Sequence, residues 1–246
     1  EELERVGSSL VGVGLHNDIV VPYIESFGSQ EQKERWLPGC INADFITAIA
    51  MTEPGAGSDL ANIQTTAIRD GDHYVLNGQK TFITHGINGN LFLVVVKTNP
   101  KAEPKHQGIS LVVVEEGATG FSKGRKLDKV GLHAQDTSEL YFEDCRIPVS
   151  NLIGVEGKGF GYLMEKLQQE RLVVAISAQI ASEDMLEMTM DYVKSRKAFG
   201  KPIASFQNTQ FKIVEMATKI ELGKSFLESL IEDHIAGKEV VTKVSM

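Results

Sequence analysis

The sequence predicts an α+β chain with helices at both ends and a β domain between them. Near the start, apolar residues recur at helical spacing, at Leu3, Val6, Leu10 and Val13. The middle of the chain switches to short β-rich runs separated by turn residues, which favours an antiparallel barrel or sandwich. Apolar residues then return to steps of three and four over two long stretches, which indicates an incomplete helical bundle.

These changes of pattern divide the chain into three segments. We predict that residues 1–42 are the end of an N-terminal helical domain, that residues 43–153 are the β domain, and that residues 154–246 are the start of the bundle. The first residue is not Met and the last residues carry no helix stop signal. We therefore interpret the sequence as a segment of a longer protein.

The strands of the β domain are predicted from apolar runs bounded by turn residues. Tyr74–Leu76 and Lys80–Thr84 flank Asn77–Gly78, a pair that tolerates positive φ angles, so a two-residue hairpin is expected there. The other predicted strands are Phe45–Met51, Leu91–Lys97, Ile109–Glu115 and Leu140–Phe142, the last closed by Pro148.

Three helices have readable boundaries. Ser29 and Gln32 have the spacing of a capping box, and the helix that they begin is predicted to end near Pro38–Gly39. The two long helices are predicted from Gly159 to about Arg196 and from about Ser205 to Ala236, with Gly237 as the stop.

Composition excludes several classes of function. The net charge of −8 argues against nucleic-acid binding, which requires clustered Lys and Arg, and no apolar run has the length of a membrane span. The two cysteines, Cys40 and Cys145, and the six histidines show no metal-ligand spacing, so we predict no metal site. Two free thiols in a reducing compartment are expected.

Glu170 is the main candidate for a catalytic group. It falls at helical spacing between Leu167 and Val174, on a stripe that we predict to be apolar and buried. Burial raises the pKa of a carboxyl group, which suits a general base that works near neutral pH. The alternative is a structural Glu that a distant Arg or a backbone amide satisfies. The stripe comprises Leu163, Leu167, Val174, Ala178, Ala181 and Met185.

Three polar or glycine-rich segments are further candidates. Met51–Asp59 follows a strand and would let a ligand approach the backbone closely, although it is also compatible with an ordinary connector. Arg196–Lys201 places cations at a helix end, where they complement the helix dipole or bind a pyrophosphate. Gly157–Gly161 lacks the surrounding βαβ unit of a dinucleotide fingerprint, so we interpret it as a turn and helix entry.

Taken together, four segments resemble the acyl-CoA dehydrogenases. The resemblance covers nearly the whole chain and implies an α-helical domain, a β domain and a helical bundle, with FAD as the cofactor. The segments are Met51–Asp59, Asn77–Thr84, Phe142–Pro148 and Arg196–Gly200.

The resemblance also assigns residues to ligands. The positions that match flavin contacts in the β domain are Ile49, Met51, Thr52, Gly57, Ser58, Phe82, Ile83 and Thr84. The positions that match contacts to the FAD of a neighbouring subunit are Arg196, Phe199 and Gln207, and those for acyl-CoA are Ser58, Gln168 and Arg171. Many members have Trp where this chain has Phe82. A cofactor shared between subunits implies a homo-oligomer, and the family is usually tetrameric.

The resemblance further implies a mechanism. Many members carry the catalytic base near the C-terminus, whereas a branch similar to the long-chain and isovaleryl enzymes carries it on a helix directly before an Arg. Glu170–Arg171 matches that branch. Glu170 would remove the α-proton of an acyl-CoA while the β-hydrogen leaves as hydride to the flavin, which gives a trans-2-enoyl-CoA. Electrons would pass to an electron-transfer flavoprotein, in the cytoplasm of a bacterium or in the mitochondrial matrix of a eukaryote.

Two alternatives remain at the level of sequence. An acyl-CoA oxidase or a flavin monooxygenase has the same fold, and a monooxygenase would not need Glu170. A non-catalytic acyl-CoA-binding or scaffold protein would keep the fold but lose the base or the flavin contacts, both of which this sequence retains. The sequence does not set the length or branching of the acyl chain.

Overall fold

The computed structural model describes residues 12–246. The predicted helical positions Leu3, Val6 and Leu10 lie outside these residues. The described part of the chain forms two compact units, one that ends at Leu167 and one that comprises Gln168–Met246.

The first unit begins with helices. A π-helical segment, Leu15–Val20, leads directly into α1 (Val21–Phe27), and α2 covers Gln30–Ile41. The predicted capping box is confirmed, because the Ser29 hydroxyl accepts a hydrogen bond from the Gln32 backbone N–H and the Gln32 side chain accepts one from the Ser29 backbone N–H.

Helix α2 continues beyond its predicted end. Pro38 lies inside the helix, which ends at Ile41, so the predicted end near Pro38–Gly39 is wrong. Trp36 and Cys40 lie one turn apart on either side of Pro38, and both side chains are buried in the same apolar cluster. Packing on both sides of the proline therefore holds the chain in a helix where local propensity would end it.

The β domain forms one sheet. Within the described residues its eight strands follow the order β6-β7-β3-β2-β4-β5-β8, with β1 paired to β4. The strands are β1 (Thr47–Ala50), β2 (Thr66–Asp70), β3 (His73–Thr84), β4 (Leu91–Lys97), β5 (Ile109–Glu115), β6 (Phe121–Lys126), β7 (Thr137–Pro148) and β8 (Leu152–Ile153). The predicted bounds of β4 and β5 are confirmed residue by residue.

The predicted antiparallel pairing needs one correction. Strands β1 and β2 pair parallel with β4, whereas the other pairs of this sheet are antiparallel. Strands β2 and β6 were not predicted. Both are short and carry charged residues, so their sequences lack the apolar runs that identify buried strands.

The predicted hairpin at Asn77–Gly78 is wrong. These residues lie inside the continuous strand β3, and the actual turn joins β2 to β3 at Gly71, which has a φ of 63°. Gly78 is needed for another reason, since a Cβ atom there would lie 2.4 Å from the Thr65 hydroxyl oxygen. Glycine in this strand thus marks a close approach of two backbone segments.

A Gly78→Ala substitution is expected to lower the free energy of unfolding by about 1–3 kcal/mol, the cost typical of overpacking. The added Cβ would also lie 2.7 Å from the Thr65 Cα atom, which cannot move away as a flexible side chain would. Denaturant midpoints measure the loss. Gly131→Ala is the matched control, because a Cβ atom there meets nothing within 4 Å; equal midpoints for the two variants would contradict the explanation.

Apolar residues cover both faces of the central strands. Alternate residues of β4 enter two different clusters: Leu93 and Val95 pack with the helical residues Trp36 and Tyr23, whereas Phe92 and its neighbours on the other face pack with residues of β3 and β7. Burial on both faces explains why β4 is a continuous apolar run.

The second unit is built on two long helices. Helix α3 covers Gly159–Ser195 and α4 covers Gln207–Ile235, which confirms both predicted helices within one or two residues. Gly237 follows α4 with a φ of 72°, as expected of a helix stop. Between the helices lie β9 (Lys197–Ala198) and β10 (Lys201–Pro202), and the short helix α5 (Val241–Val244) follows.

Both cysteines are free and buried, as predicted for thiols that form no disulfide. Burial raises the pKa of both the Cys40 and the Cys145 thiol to about 11, so neither is an activated nucleophile at neutral pH. None of the helices among residues 12–246 combines the length and the apolar character that crossing a bilayer requires.

Candidate active site

A buried ion pair joins the glycine-rich loop that follows β1, residues Met51–Ser58, to strand β3. The Lys80 Nζ atom donates to the Glu53 Oε1 atom at 2.9 Å and to the Met51 backbone oxygen at 2.9 Å. The exposed fractions of the two charged side chains are 0% for Lys80 and 5% for Glu53. Glu53 also accepts hydrogen bonds from the backbone N–H groups of Gln64 and Thr65, at 2.5 and 3.0 Å.

The pair is electrostatically well matched. Burial opposes the charge of the Glu53 carboxyl group, but the Lys80 ammonium and the hydrogen bonds outweigh it and hold the pKa of Glu53 below its usual value. Burial lowers the pKa of Lys80 to about 8, against the attraction of Glu53. The two side chains form a buried salt bridge, with 2.9 Å between the Lys80 Nζ and Glu53 Oε1 atoms.

A second connection lies next to this pair. The Thr81 backbone N–H donates to the Thr52 backbone oxygen at 2.9 Å, and the Thr52 hydroxyl donates to the Thr81 backbone oxygen at 2.5 Å. Lys80 pairs with Leu140 of β7 and Ile83 pairs with Ser138. Two residues of β3, Thr81 and Phe82, therefore lie opposite one residue of β7 and form a bulge.

Phe82 occupies an unusual position on this bulge. Its φ angle is 59°, in the left-handed region that bulky residues rarely adopt, and 70% of its surface is exposed. Strain of this kind persists only where the surrounding structure imposes it, and it is common at functional sites. The loop and the bulge, which the sequence predicts as two separate flavin-contacting segments, are thus hydrogen-bonded to each other.

The other predicted flavin residues of this unit differ in accessibility. Ser58 and Gly57 are exposed, and a Cβ atom on Gly57 would meet nothing within 4 Å, so the loop backbone is open to a ligand. Thr84 is half-buried. The Ile83 side chain is buried in the core, so any ligand contact from it would come from its backbone. Ile49 and Met51 pack against the core with part of their surface accessible.

The burial expected around Glu170 is not observed. Glu170 is half-buried, and the stripe that carries it is largely exposed, with 64% of Val174 and 60% of Met185 accessible. The buried face of this part of α3 carries Leu172 and Ile180 instead. Leu172 packs with residues of α4 and α5.

The two predicted substrate residues beside Glu170 contact the end of the same unit. The Gln168 Oε1 atom accepts a hydrogen bond from the Val240 backbone N–H at 3.4 Å, and an Arg171 Nη atom donates to the Ser245 hydroxyl at 3.4 Å. Both contacts are long, and the Arg171 side chain is exposed. Their part in substrate binding remains a prediction.

Arg196, Phe199 and Gln207 lie around one exposed hairpin. Arg196 directly follows α3, Phe199 is at the tip of the β9–β10 turn, and Gln207 is the first residue of α4. Phe199 has a φ of 51° and is 95% exposed. The hairpin thus presents an aromatic ring, a guanidinium group and an amide to the surroundings, a set of groups that can bind the aromatic and phosphate parts of a nucleotide.

Sequence reasoning missed the roles of Glu53 and Lys80. Charged residues are rarely fully buried unless they are paired, and the sequence analysis assigned neither residue a role. The available signal was one lysine in the Asn77–Thr84 motif and two acidic residues, Glu53 and Asp59, in the Met51–Asp59 motif. Among residues 12–246, no group of three or more His, Cys, Asp or Glu side chains is arranged to hold a metal ion.

Comparison with known proteins identifies the family. The model of the acyl-CoA dehydrogenase middle domain matches residues 48–145, that of the C-terminal domain residues 157–246, and that of the N-terminal domain residues 1–44. This chain belongs to the acyl-CoA dehydrogenase family, and the predicted arrangement of helices, β domain and helical bundle is confirmed.

Two relatives illustrate the similarity. The mitochondrial long-chain specific acyl-CoA dehydrogenase of Sus scrofa is 52% identical over 94% of this chain and 54% of its own length. The mitochondrial isovaleryl-CoA dehydrogenase of Pongo abelii is 36% identical over 97% of this chain and 58% of its own length. The chain therefore spans little more than half the length of these relatives.

Solved structures show the same fold. The acyl-CoA dehydrogenase of Geobacillus kaustophilus is 65% identical, with a TM-score of 0.98 over 100% of this chain and 64% of that chain. The FAD complex of PigA is 32% identical, with a TM-score of 0.89 over 94% of this chain and 60% of that chain.

Proposed function

We propose that this protein is an FAD-dependent acyl-CoA dehydrogenase, which converts an acyl-CoA thioester to the trans-2-enoyl-CoA. The observation that carries the proposal is that the Met51–Ser58 loop is bonded to the Thr81–Phe82 bulge. The Lys80–Glu53 ion pair and the two hydrogen bonds between Thr52 and Thr81 make this connection. The names of the long-chain and isovaleryl relatives support the reaction, and the FAD complex of a structural neighbour supports the cofactor.

The residues present fit FAD. The exposed Phe82 ring offers an apolar surface to a flat ring system, and the open backbone at Gly57 and the Ser58 hydroxyl offer polar contacts. Arg196 and Phe199 suit the pyrophosphate and adenine parts of a second copy of the cofactor. On this proposal, residues 43–153 carry the flavin and acyl-CoA contacts, residues 1–42 end an N-terminal helical domain, and residues 154–246 begin the bundle.

The chemistry divides between protein and cofactor. FAD, when bound, accepts the substrate β-hydrogen as hydride. The Glu170 carboxylate removes the α-proton, and Arg171 and Gln168 hold the substrate or the geometry of the helix beside it. Glu170 is half-buried within its unit.

The proposed partners follow from this chemistry and from the family. A homo-oligomer, in this family usually a tetramer, would bring Arg196, Phe199 and Gln207 to the FAD of a neighbouring subunit. An electron-transfer flavoprotein would take the electrons. The long-chain and isovaleryl relatives are mitochondrial, which supports the mitochondrial matrix as the location of a eukaryotic protein. For a bacterial protein the proposed location is the cytoplasm.

The proposed function is tested by anaerobic titration of the FAD-reconstituted complete protein with straight and branched acyl-CoAs. We expect one class of acyl-CoA to bleach the flavin absorbance and to yield a product lighter by two hydrogen atoms in mass spectrometry. A protein that takes up no FAD, or one whose bound flavin no acyl-CoA reduces, would show that the proposal is wrong.

Arg196→Ala is expected to weaken FAD binding by about 1.5–3 kcal/mol, the range for one hydrogen bond to a charged group. The reason is the loss of one exposed guanidinium group from the hairpin. Equilibrium titration of the apoprotein with FAD gives the dissociation constant. Lys219→Ala removes another exposed cation, which pairs with Glu215 on α4, and should leave that constant unchanged. Equal affinity of the Arg196→Ala variant and the wild type would exclude Arg196 from the site.

A further inference from the structure

The Lys80–Glu53 pair lies where the Met51–Ser58 loop, the start of β2 and the Phe82 bulge meet. Lys80 is the last residue of β3 in register with β7 before the bulge at Phe82, and its Nζ atom reaches back to the Met51 backbone oxygen. Glu53 binds the backbone of Gln64 and Thr65, which precede β2. One buried pair therefore ties the start of the glycine-rich loop, the start of β2 and the base of the bulge together.

The contacts of the pair are directional as well as attractive. The Glu53 Oε1 atom accepts from both the Lys80 ammonium and the Thr65 backbone N–H, and the Lys80 Nζ atom has a second acceptor in the Met51 backbone oxygen. A pair of apolar side chains of similar size would fill the same space without fixing these distances. Buried ionic groups contribute little net stability over such apolar replacements, so their value here lies in geometry.

We propose that Glu53 and Lys80 are positioning residues, which fix the spacing between the Met51–Ser58 loop and the Phe82 bulge and so set the geometry of the flavin site. The inference rests on the proposed function, because it requires FAD as the ligand. Both side chains are buried inside the sheet and loop, so on this proposal neither touches the flavin. They act through the Thr52 and Phe82 segments, which are joined to each other by the hydrogen bonds of Thr52 and Thr81.

The test requires a variant that removes the charges and keeps the fold. In the double variant Glu53→Gln/Lys80→Met no charge remains buried, and side-chain volume is nearly conserved. The Gln oxygen can still accept from the Thr65 backbone N–H. Glu53→Gln alone is the second variant; it leaves the Lys80 ammonium without its opposite charge but retains an acceptor for both Thr65 and Lys80.

A control separates positioning from stability. Val112→Ala shortens a fully buried side chain on β5, a strand that contributes no residue to the loop or the bulge, and lowers stability by cavity formation. Apoprotein of each variant is titrated with FAD at a temperature where all are folded. The dissociation constant and the visible absorption band of the bound flavin are then recorded.

We expect the double variant to bind FAD about tenfold more weakly or worse, which corresponds to at least 1.4 kcal/mol. Its flavin band should also shift relative to the wild type. Glu53→Gln should change both quantities in the same direction, and Val112→Ala should change neither. Wild-type affinity and an unshifted band in the folded double variant, or in Glu53→Gln if that alone folds, would overturn the inference while leaving the proposed function intact. A wild-type protein that binds no FAD would overturn both.

Discussion

Glu170→Gln is expected to leave FAD and acyl-CoA bound while slowing flavin reduction by about 10²–10⁴-fold, the effect of losing a general base. Gln keeps the size and hydrogen bonding of Glu but cannot take up the α-proton. The pH profile of reduction should also lose its acidic limb, since that limb reports protonation of the base. Stopped-flow measurement of flavin absorbance under anaerobic conditions gives the rate.

Glu187→Gln provides the control for this experiment. Glu187 lies on the same helix and is exposed, so its replacement should leave flavin reduction at the wild-type rate. Near wild-type reduction by Glu170→Gln would refute the assignment of the base. The proton acceptor would then have to be another carboxylate of the protein.

The second large effect is expected on stability. Lys80→Met should lower the free energy of unfolding by about 3–5 kcal/mol, because it leaves the Glu53 carboxylate buried without its opposite charge. Urea titrations of the apoprotein, followed by circular dichroism, measure the loss.

An exposed lysine supplies the comparison. Lys219→Met removes one partner of an exposed pair and should leave the free energy of unfolding nearly unchanged. If Lys80→Met and Lys219→Met had the same urea midpoint, the buried pair would contribute no more to the free energy of unfolding than an exposed pair does.

Sequence analysis predicted accurately those elements whose burial produces a local pattern of apolar residues. Strands β4 and β5 are buried on both faces and so appear as unbroken apolar runs with turn residues at their ends. The two long helices have strong periodicity and clear stops, and their bounds agree closely with the structure.

Elements that depend on distant contacts were not predicted. The Asn77–Gly78 pair has the local signature of a hairpin, but Gly78 is there because Thr65 approaches it, which no local pattern reveals. Helix α2 passes through Pro38 because Trp36 and Cys40 are both packed into the core. In each case tertiary packing overrides the local preference.

The candidate site shows the same division. The two motifs predict which segments contact a ligand, and this stays a prediction, whereas the pairing of Glu53 with Lys80 became apparent only in the folded chain. On α3 both faces carry apolar residues, so periodicity alone did not distinguish the buried Leu172 face from the exposed Val174 face. The assignment of Glu170 therefore depends on its match to the family, and no longer on burial.

Exchange of the substrate α-hydrogen with solvent deuterium tests the role of Glu170 most directly. An arylacetyl-CoA has an α-hydrogen but no β-hydrogen that can leave as hydride, so proton removal can be observed alone. With the FAD-loaded wild type in deuterated water, we expect mass spectrometry to show deuterium at the α-carbon, and we expect Glu170→Gln to lose this exchange while Glu187→Gln retains it. Exchange by Glu170→Gln at the wild-type rate would contradict the assignment of Glu170 as the base.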